Sequence, residues 1–277
     1  MKFLDGSDSI EKPWLYTHSP EFERNMQLLL KRNITLTDWH VHIFRGGMTP
    51  EKAEERGRES GILSGVVENQ GVEWPLCDDA ALKEYIKNVH KAVGHELPLG
   101  IQVNDRDWYK RTSPDLLAQL DYVLADTMIM GRTLDGSKQQ RLWLIKSDMY
   151  TPDEADAWFE HYLLHCLCVV REPISILANP TYLPEFVASY YERLWTAERM
   201  NELIYAAIHN DIRLEIQAGS LYPKLEFIKL AKLAGAKFTV GSNNFFDRAL
   251  DTTAWFRAIE EADLSAEDFA APTKKFP

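Results

Sequence analysis

Short apolar runs rich in β-branched residues alternate along the chain with longer stretches that have the periodicity of amphipathic helices. The short runs predict seven strands, at 34–41, 62–68, 97–103, 120–126, 174–178, 212–217 and 236–241. The longer stretches predict helices near 50–60, 78–93, 113–119, 151–170, 195–210, 222–234 and 248–262. Because strands that alternate with helices form parallel sheets covered by those helices, the pattern predicts an α/β fold.

The helix boundaries carry local signals that support this reading. Capping side chains precede three of the helices, at Asp78 or Asp79, at Ser113 and at Thr151. Glycines that can end a helix in a left-handed conformation stand at Gly61, Gly94 and Gly235. An open nucleotide-binding sheet would carry a glycine-rich turn after its first strand, and the turn DWHVHIFRGG is not of that type. We therefore expect a single TIM-like, distorted (βα)7 barrel over residues 1–277, with a long excursion at about 130–154.

Polar side chains follow every predicted strand. In strand order these are Asp38, His40 and His42; Glu68, Asn69 and Gln70; Gln102, Asn104 and Asp105; Asp126 and Thr127; Asn179; Glu215 and Gln217; and Ser242, Asn243 and Asn244. The carboxyl ends of parallel strands meet at one mouth of a barrel, where ligands bind. The sequence therefore predicts a polar pocket at that mouth.

The sharpest local motif is the Asp-x-His-x-His of residues 38–42. Residues two apart in a strand point to the same side, so Asp38, His40 and His42 are expected to share one face. Two adjacent imidazoles with a nearby carboxylate are typical of a metal site. Two strand histidines bonded to backbone or water remain the alternative.

Several segments resemble the PHP (polymerase and histidinol phosphatase) family, metal-dependent phosphoesterases on a seven-stranded barrel. DWHVH resembles the first motif of that family, and the similarity extends from about Thr35 to Asn244 in the family's order. The other similar segments are GILSGVVEN, PLGIQV, LDYVLADTM, ISILANP and FTVGSNNF. The amidohydrolase superfamily also has His-x-His after its first strand, but its later histidines have no counterpart here.

The chain departs from the family at most metal-ligand positions. Gln102 stands where the resemblance implies a bridging Glu, and Asn243 stands where it implies an Asp. Met128, Asn179 and Phe245 replace histidines. Amide oxygens bind divalent ions more weakly than carboxylates do, so a trinuclear centre is not expected.

Three readings stay open: one metal ion on the surviving histidines, a metal-free pocket for a polar ligand, and a barrel without present activity. The leading expectation is a PHP-like hydrolase with an eroded centre that holds at most one zinc or manganese ion, or none. The alternative is a metal-free ligand-binding or assembly protein. We assign His40 and His42 as metal ligands and Asp38, Glu68 and Asp126 as catalytic candidates. The candidate substrate-binding residues are Asn69, Gln102, Asn179, Gln217, Asn243 and Asn244.

The net charge of the chain limits the classes of partner that we expect. The chain carries 31 Lys and Arg against 42 Asp and Glu, a formal net charge of −11. An acidic surface repels nucleic acid and anionic membranes, so neither is expected as a partner. The expected ligand is a small polar or phosphorylated molecule, and an oligomer is possible. The N-terminus lacks a signal-peptide pattern and no apolar run is long enough to span a bilayer, which favours a cytoplasmic protein.

Three further features are given less weight. His161 and His165 are four residues apart on one predicted helix, a spacing that we assign to packing or surface. Trp74 and Trp108 follow strands and are candidate walls of a pocket. The excursion carries cationic residues that are candidate contacts for an anionic substrate, Arg132, Lys138, Arg141 and Lys146.

Overall fold

Parallel strands occupy the positions where the apolar runs predict them. The structure is a computed structural model that describes residues 19–44, 46–130, 139–145, 151–219, 222–244 and 250–276. The parallel strands are β1 (Thr37–His42), β2 (Leu63–Val67), β3 (Asn69–Gln70), β4 (Gly100–Val103), β5 (Tyr122–Asp126), β8 (Ile176–Ala178), β9 (Arg213–Gln217) and β10 (Phe238–Gly241). An antiparallel pair, β6 (Ile129–Met130) and β7 (Gln140–Arg141), follows β5 in the excursion.

The parallel strands nearly close into a barrel. Their order is β2-β1-β10-β9-β8-β5-β4-β3, and β3 continues the path of β2 after one residue. A bridge between Val66 of β2 and Leu99, just before β4, joins the two ends of that order. The result is a TIM-like barrel of seven strand paths, as the sequence predicts.

Helices cover the outside of the barrel. They are α1 (Pro20–Arg32), α2 (Pro50–Ser60), α3 (Asp79–Val93), α4 (Pro114–Leu117), α5 (Pro152–Val169), α6 (Tyr191–Leu194), α7 (Ala197–His209), α8 (Leu225–Leu233) and α9 (Thr253–Glu261). The predicted caps are confirmed at Asp78, which accepts from the N–H of Ala81, and at Thr151, which forms a capping box with Glu154. Ser113 makes no such side-chain bond.

Two terminal segments lie outside the predicted pattern. Helix α1 was not predicted, although Ser19 caps it and Pro20 stands at its first turn. Its last residue, Arg32, donates to the carbonyls of Ile259 and Leu264 and so packs the helix against the α9 region. At the other end of the chain, Phe269 pairs with Phe238, which places this segment at the amino-terminal ends of the strands.

Large side chains fill the middle of the barrel. Trp39 and Tyr122 meet edge to face with ring centroids 5.2 Å apart, within a cluster that includes Val67 and Leu124. A Cβ at position 100 would lie 2.6 Å from the Tyr122 ring, so only glycine fits where β4 passes it. The carboxyl ends of the strands, where the sequence predicts a polar pocket, therefore lie above a packed apolar layer. Within the described residues, none of the helices combines the length and apolar character needed to cross a membrane.

Candidate functional site

Two histidines of β1 meet side chains from β4 and β9 at the carboxyl end of the barrel. The Nε2 atoms of His40 and His42 lie 3.2 Å apart. The Nδ1 of His40 lies 2.6 Å from Oε1 of Glu215, and its Nε2 lies 2.9 Å from Oε1 of Gln102. These four side chains are buried, and none of them is more than 4% exposed. They form the centre of the candidate site.

A bulge in β1 sends Asp38 away from this centre. The register between β1 and β2 shifts between Asp38 and Val41, which breaks the strict alternation of side chains. The Asp38 carboxylate instead pairs with Arg56 of α2 at 2.8 Å, with both side chains fully buried. It also accepts from the backbone N–H of His40 and of Ser242. The prediction that Asp38 shares the face of the two histidines is therefore wrong, and this residue holds α2 and β10 against β1.

Three carboxamides connect the two imidazoles on their other side. Gln102 donates to Asn104 at 3.3 Å, and Asn104 donates to Asn69 at 2.8 Å. The Asn69 amide nitrogen lies 3.4 Å from Nδ1 of His42. Because a carboxamide presents a donor and an acceptor at equivalent positions, this chain can run in either direction. It can therefore satisfy either tautomer of His42.

Asp126 and Asn179 form the neighbouring part of the centre. Asn179 donates from its side chain to Asp126 at 3.1 Å and from its backbone N–H to Oε2 of Glu215 at 3.1 Å. Its φ of 48° is in the left-handed region, and the Oδ1 of its side chain is buried without a hydrogen-bond partner. Asp126 also accepts from the N–H of Met128 at 2.7 Å. Asn179 thus links the carboxylates of β5 and β9.

The electrostatics of the centre favour a positive charge at His40. Burial alone would lower the pKa of His40, but the charge of Glu215, the hydrogen bond to it and the charge of Asp126 raise that pKa above 6.5. Burial raises the pKa of Asp126 to about 7, and its bond from Met128 and the charge of His40 oppose that rise. Asp126 can therefore hold or release a proton near neutral pH.

The close approach of the two imidazoles requires one proton or one ion between them. If both Nε2 atoms lacked a proton, two lone pairs would face each other at 3.2 Å. If both carried a proton, two N–H donors would face each other. One N–H that donates to the other nitrogen, in a neutral or a protonated pair, satisfies the contact, and so does a metal ion bound by both nitrogens. The Glu215 carboxylate behind His40 supplies the compensating negative charge.

The remaining predicted site residues lie around this centre without all facing it. Glu68 accepts from the backbone N–H of Asn69 at 2.6 Å, and its charge contributes to the raised pKa of Tyr85. Gln217 ends β9 and is buried. Asn244 pairs with β1 through its backbone, and Asn243 before it is half-buried with a left-handed φ of 48°. Phe245 lies outside the described residues.

Glu215 and Gly241 belong to the centre but were not assigned to it from the sequence. The signal for Glu215 was its place in IRLEIQ, where Arg213, Glu215 and Gln217 alternate with apolar residues. From the sequence it is expected only to be a polar group at a strand end. A Cβ at position 241 would overlap Oε1 of Glu215 and lie 2.7 Å from Cβ of His40. Glycine on β10 is therefore what lets the Glu215 carboxylate reach His40.

The donor set suits one ion better than several. Among the residues that the structure describes, no group of three or more His, Cys, Asp or Glu side chains is arranged to hold a metal. Two nitrogens that ligate one zinc ion tetrahedrally, at about 2.0–2.1 Å each, lie about 3.3 Å apart. The separation of 3.2 Å between the His40 and His42 nitrogens matches that value. If an ion binds here, the two imidazoles and the amide oxygen of Gln102 are the donors that would hold it.

Secondary candidates from the sequence have structural explanations. His165 is buried against Tyr162, with ring centroids 6.2 Å apart, and His161 on the same helix is exposed, so packing and surface are confirmed. Trp108 is fully buried. Trp74 donates to Gln139 of the excursion at 2.8 Å and Arg141 lies 4.3 Å above its ring. The other cationic residues of the excursion, Arg132, Lys138 and Lys146, lie outside the described residues.

Comparisons with known proteins give distant likenesses only. No family model matches the sequence, and no curated protein resembles it significantly. A beta-mannanase from Streptomyces thermolilacinus is 11% identical, with a TM-score of 0.39, over 83% of this chain and 78% of the mannanase. SuiB from Streptococcus suis, bound to S-adenosylmethionine, is 11% identical with a TM-score of 0.32, over 88% of this chain and 54% of SuiB. Similarity this low carries no functional argument.

Proposed function

We propose that the chain is a PHP-like hydrolase whose centre holds one divalent ion, zinc or manganese, on His40 and His42. The observation that carries this proposal is the 3.2 Å separation of their Nε2 atoms, which is close to the spacing of two imidazole nitrogens on one zinc ion. The Oε1 of Gln102 lies 2.9 Å from the same nitrogen of His40 and is the candidate third donor. Because Gln102 is an amide, binding should be weaker than in a centre with a carboxylate there.

The carboxylates around the centre differ in how well they suit a catalytic role in hydrolysis. Such an ion, when bound, would polarise a substrate oxygen and lower the pKa of water. Asp126, with its pKa at about 7, is the candidate acid or base that holds or accepts a proton. Glu68 stays a weaker catalytic candidate because its carboxylate already accepts from Asn69. Asp38 is not proposed, because its carboxylate is paired with Arg56.

The proposed substrate is a small polar or phosphorylated molecule. Asn69, Gln102 and Asn179 are the candidate binding residues, and the buried, unpaired Oδ1 of Asn179 is a free acceptor for it. None of these three side chains is more than 4% exposed, so only a small part of a substrate would reach them. We further propose that the protein works in the cytoplasm.

A metal-free binding or assembly protein is the second candidate. It is favoured by the raised pKa of His40, since a proton shared by the two imidazoles would satisfy the same contact. In that case Glu215 would neutralise an imidazolium, and the carboxamide chain would bind a polar ligand without chemistry.

Hydrolysis of chromogenic esters tests the two candidates against each other. The protein, treated with chelator and then supplied with Zn²⁺ or Mn²⁺, is assayed with p-nitrophenyl phosphate, bis-p-nitrophenyl phosphate and p-nitrophenyl acetate. The hydrolase predicts metal-dependent turnover of at least one ester that Asp126→Asn abolishes. A folded protein that hydrolyses none of them, or whose turnover ignores Asp126, would favour the metal-free candidate.

A further inference from the structure

Glu215 reaches the back of His40 through a short and fully enclosed contact. Its Oε1 lies 2.6 Å from Nδ1 of His40, and the two side chains are 1% and 0% exposed. Its Oε2 accepts from the backbone N–H of Asn179 at 3.1 Å. With both oxygens held, the carboxylate cannot turn away from the imidazole. The Nδ1 of His40 must therefore carry a proton, because a carboxylate oxygen can only accept.

We infer that Glu215 is a positioning residue for His40. In the neutral imidazole, a proton held on Nδ1 leaves the lone pair on Nε2, the nitrogen that faces His42 and Gln102 and that would bind the ion of the proposed function. This inference rests on that proposed function and deepens it. Histidine ligands of metals commonly donate their other N–H to a carboxylate, which fixes the tautomer and raises the basicity of the ligand.

A comparison with the other buried carboxylate of this region supports a role beyond packing. Asp38 is paired with Arg56, a side chain that is always cationic, so that charge is neutralised permanently. Glu215 contacts an imidazole and a backbone N–H, and neither of these is permanently charged. A proton or an ion bound by the His40 ring is therefore the positive charge nearest in contact with it. The placement therefore couples Glu215 to whatever the two imidazoles hold.

The absence of a side chain at Gly241 makes this coupling possible. Gly241 is in register with Gln217 on the neighbouring strand, and a Cβ there would overlap Oε1 of Glu215. The backbone of β10 thus leaves space for one carboxylate behind His40.

Zinc affinity and the His40 proton together test the inference. The full chain is prepared as wild type, Glu215→Gln, and Glu215→Asp, which keeps the charge but is one methylene too short. Glu172→Gln is the matched control, because it also neutralises a buried carboxylate, one that pairs with Arg106 at 3.0 Å instead of with His40. Zinc affinity is measured by competition with a chelator. Both Glu215 variants should bind zinc about 10–100-fold more weakly than wild type, and the control should bind as wild type does.

The second readout needs no metal. In metal-free wild type labelled with ¹⁵N-histidine, NMR should detect a downfield His40 proton on Nδ1, and Glu215→Gln should lose it. If wild type carries that proton only on Nε2, or if the Glu215 variants bind zinc as tightly as wild type, the inference is overturned. A wild type that binds no zinc but shows the Glu215-dependent Nδ1 proton would overturn the proposed metal centre and leave the positioning of His40 supported.

Discussion

Adding one methyl group at Gly241 should break the pair between Glu215 and His40. The Cβ of an alanine would overlap the Glu215 carboxylate and lie 2.7 Å from Cβ of His40. The carboxylate is the more mobile partner, so it would rotate away and leave both groups buried and unpaired. The perturbation thus acts on the centre without changing any of its polar groups.

The size of the effect follows from the burial of the pair. Both side chains are at most 1% exposed, and breaking such a pair on one side costs about 3–5 kcal/mol. Glu215→Ala should cost a similar amount because it removes the same contact. Once Glu215 is absent, the overlap with its carboxylate is gone and the 2.7 Å approach to Cβ of His40 remains, so Gly241→Ala should then cost about 1–3 kcal/mol, as overpacking does. The two substitutions should therefore be far from additive.

This coupling is measured in a double-mutant cycle, from the free energies of unfolding in denaturant of wild type, the two single variants and the double variant. Unfolding is monitored by circular dichroism with chelator present, so that no metal contributes. The structure predicts a coupling of about 2–4 kcal/mol, with the double variant about 1–3 kcal/mol less stable than Glu215→Ala. Costs that add within about 0.5 kcal/mol would refute the reasoning, because the methyl group would then act somewhere other than on Glu215.

Three further predictions concern groups with defined surroundings. Burial and the charge of Arg106 lower the pKa of His165 to about 3, so its contribution to stability is complete above pH 6.5 and is lost as the pH falls toward 3. Between pH 7 and pH 5 wild type should therefore lose about 2 kcal/mol more than His165→Gln in urea unfolding, whereas the exposed His161→Gln should follow wild type. The contribution of Asp126 to stability depends on pH in the opposite direction, because its raised pKa means that the contribution is lost as the pH rises through about 7. Asp126→Asn should therefore stabilise the metal-free protein by about 2–4 kcal/mol more at pH 8 than at pH 5. Equal effects at both pH values would contradict it. Gln102→Glu should increase zinc affinity at least about tenfold by adding an anionic donor beside His40, whereas Gln70→Glu, which replaces an amide bonded to Thr112, should not.

The barrel itself was predictable because its signals are local and repeated. Each predicted apolar run overlaps an observed parallel strand, and among the described residues only the two-residue strands β3, β6 and β7 fall outside those runs. Capping side chains such as Thr151 fix helix starts through bonds within one turn, which the sequence reveals directly. Helix α1 was missed because it precedes the first strand, where the alternation of strands and helices gives no expectation.

The centre was predictable only in part. His40, His42, Gln102 and Asn179 were placed at strand ends, and the structure joins them through direct bonds or through Glu215. Asp38 was misplaced because a bulge in β1 breaks the alternation on which the prediction depended. That bulge is stabilised by Arg56 of α2 and by Ser242, two contacts that local sequence does not reveal.

Glu215 shows a second limit of the sequence. A carboxylate at a strand end is equally compatible with a surface, a substrate contact and a histidine partner. The choice depends on Gly241 in the next strand, which is the feature that admits the carboxylate behind His40. The functional meaning of Glu215 thus depends on strand register, which follows from the closed barrel.

Metal binding by wild type and by single-histidine variants tests the central claim most directly. Wild type, His40→Gln and His42→Gln are dialysed against chelator and titrated with Zn²⁺ and Mn²⁺ by calorimetry, with circular dichroism to verify folding. The account predicts one ion per chain in wild type and a large loss of affinity in both folded variants. Two or more ions per chain, or one ion bound equally well by His42→Gln, would contradict a single centre shared by His40 and His42, as would a wild type that binds neither metal.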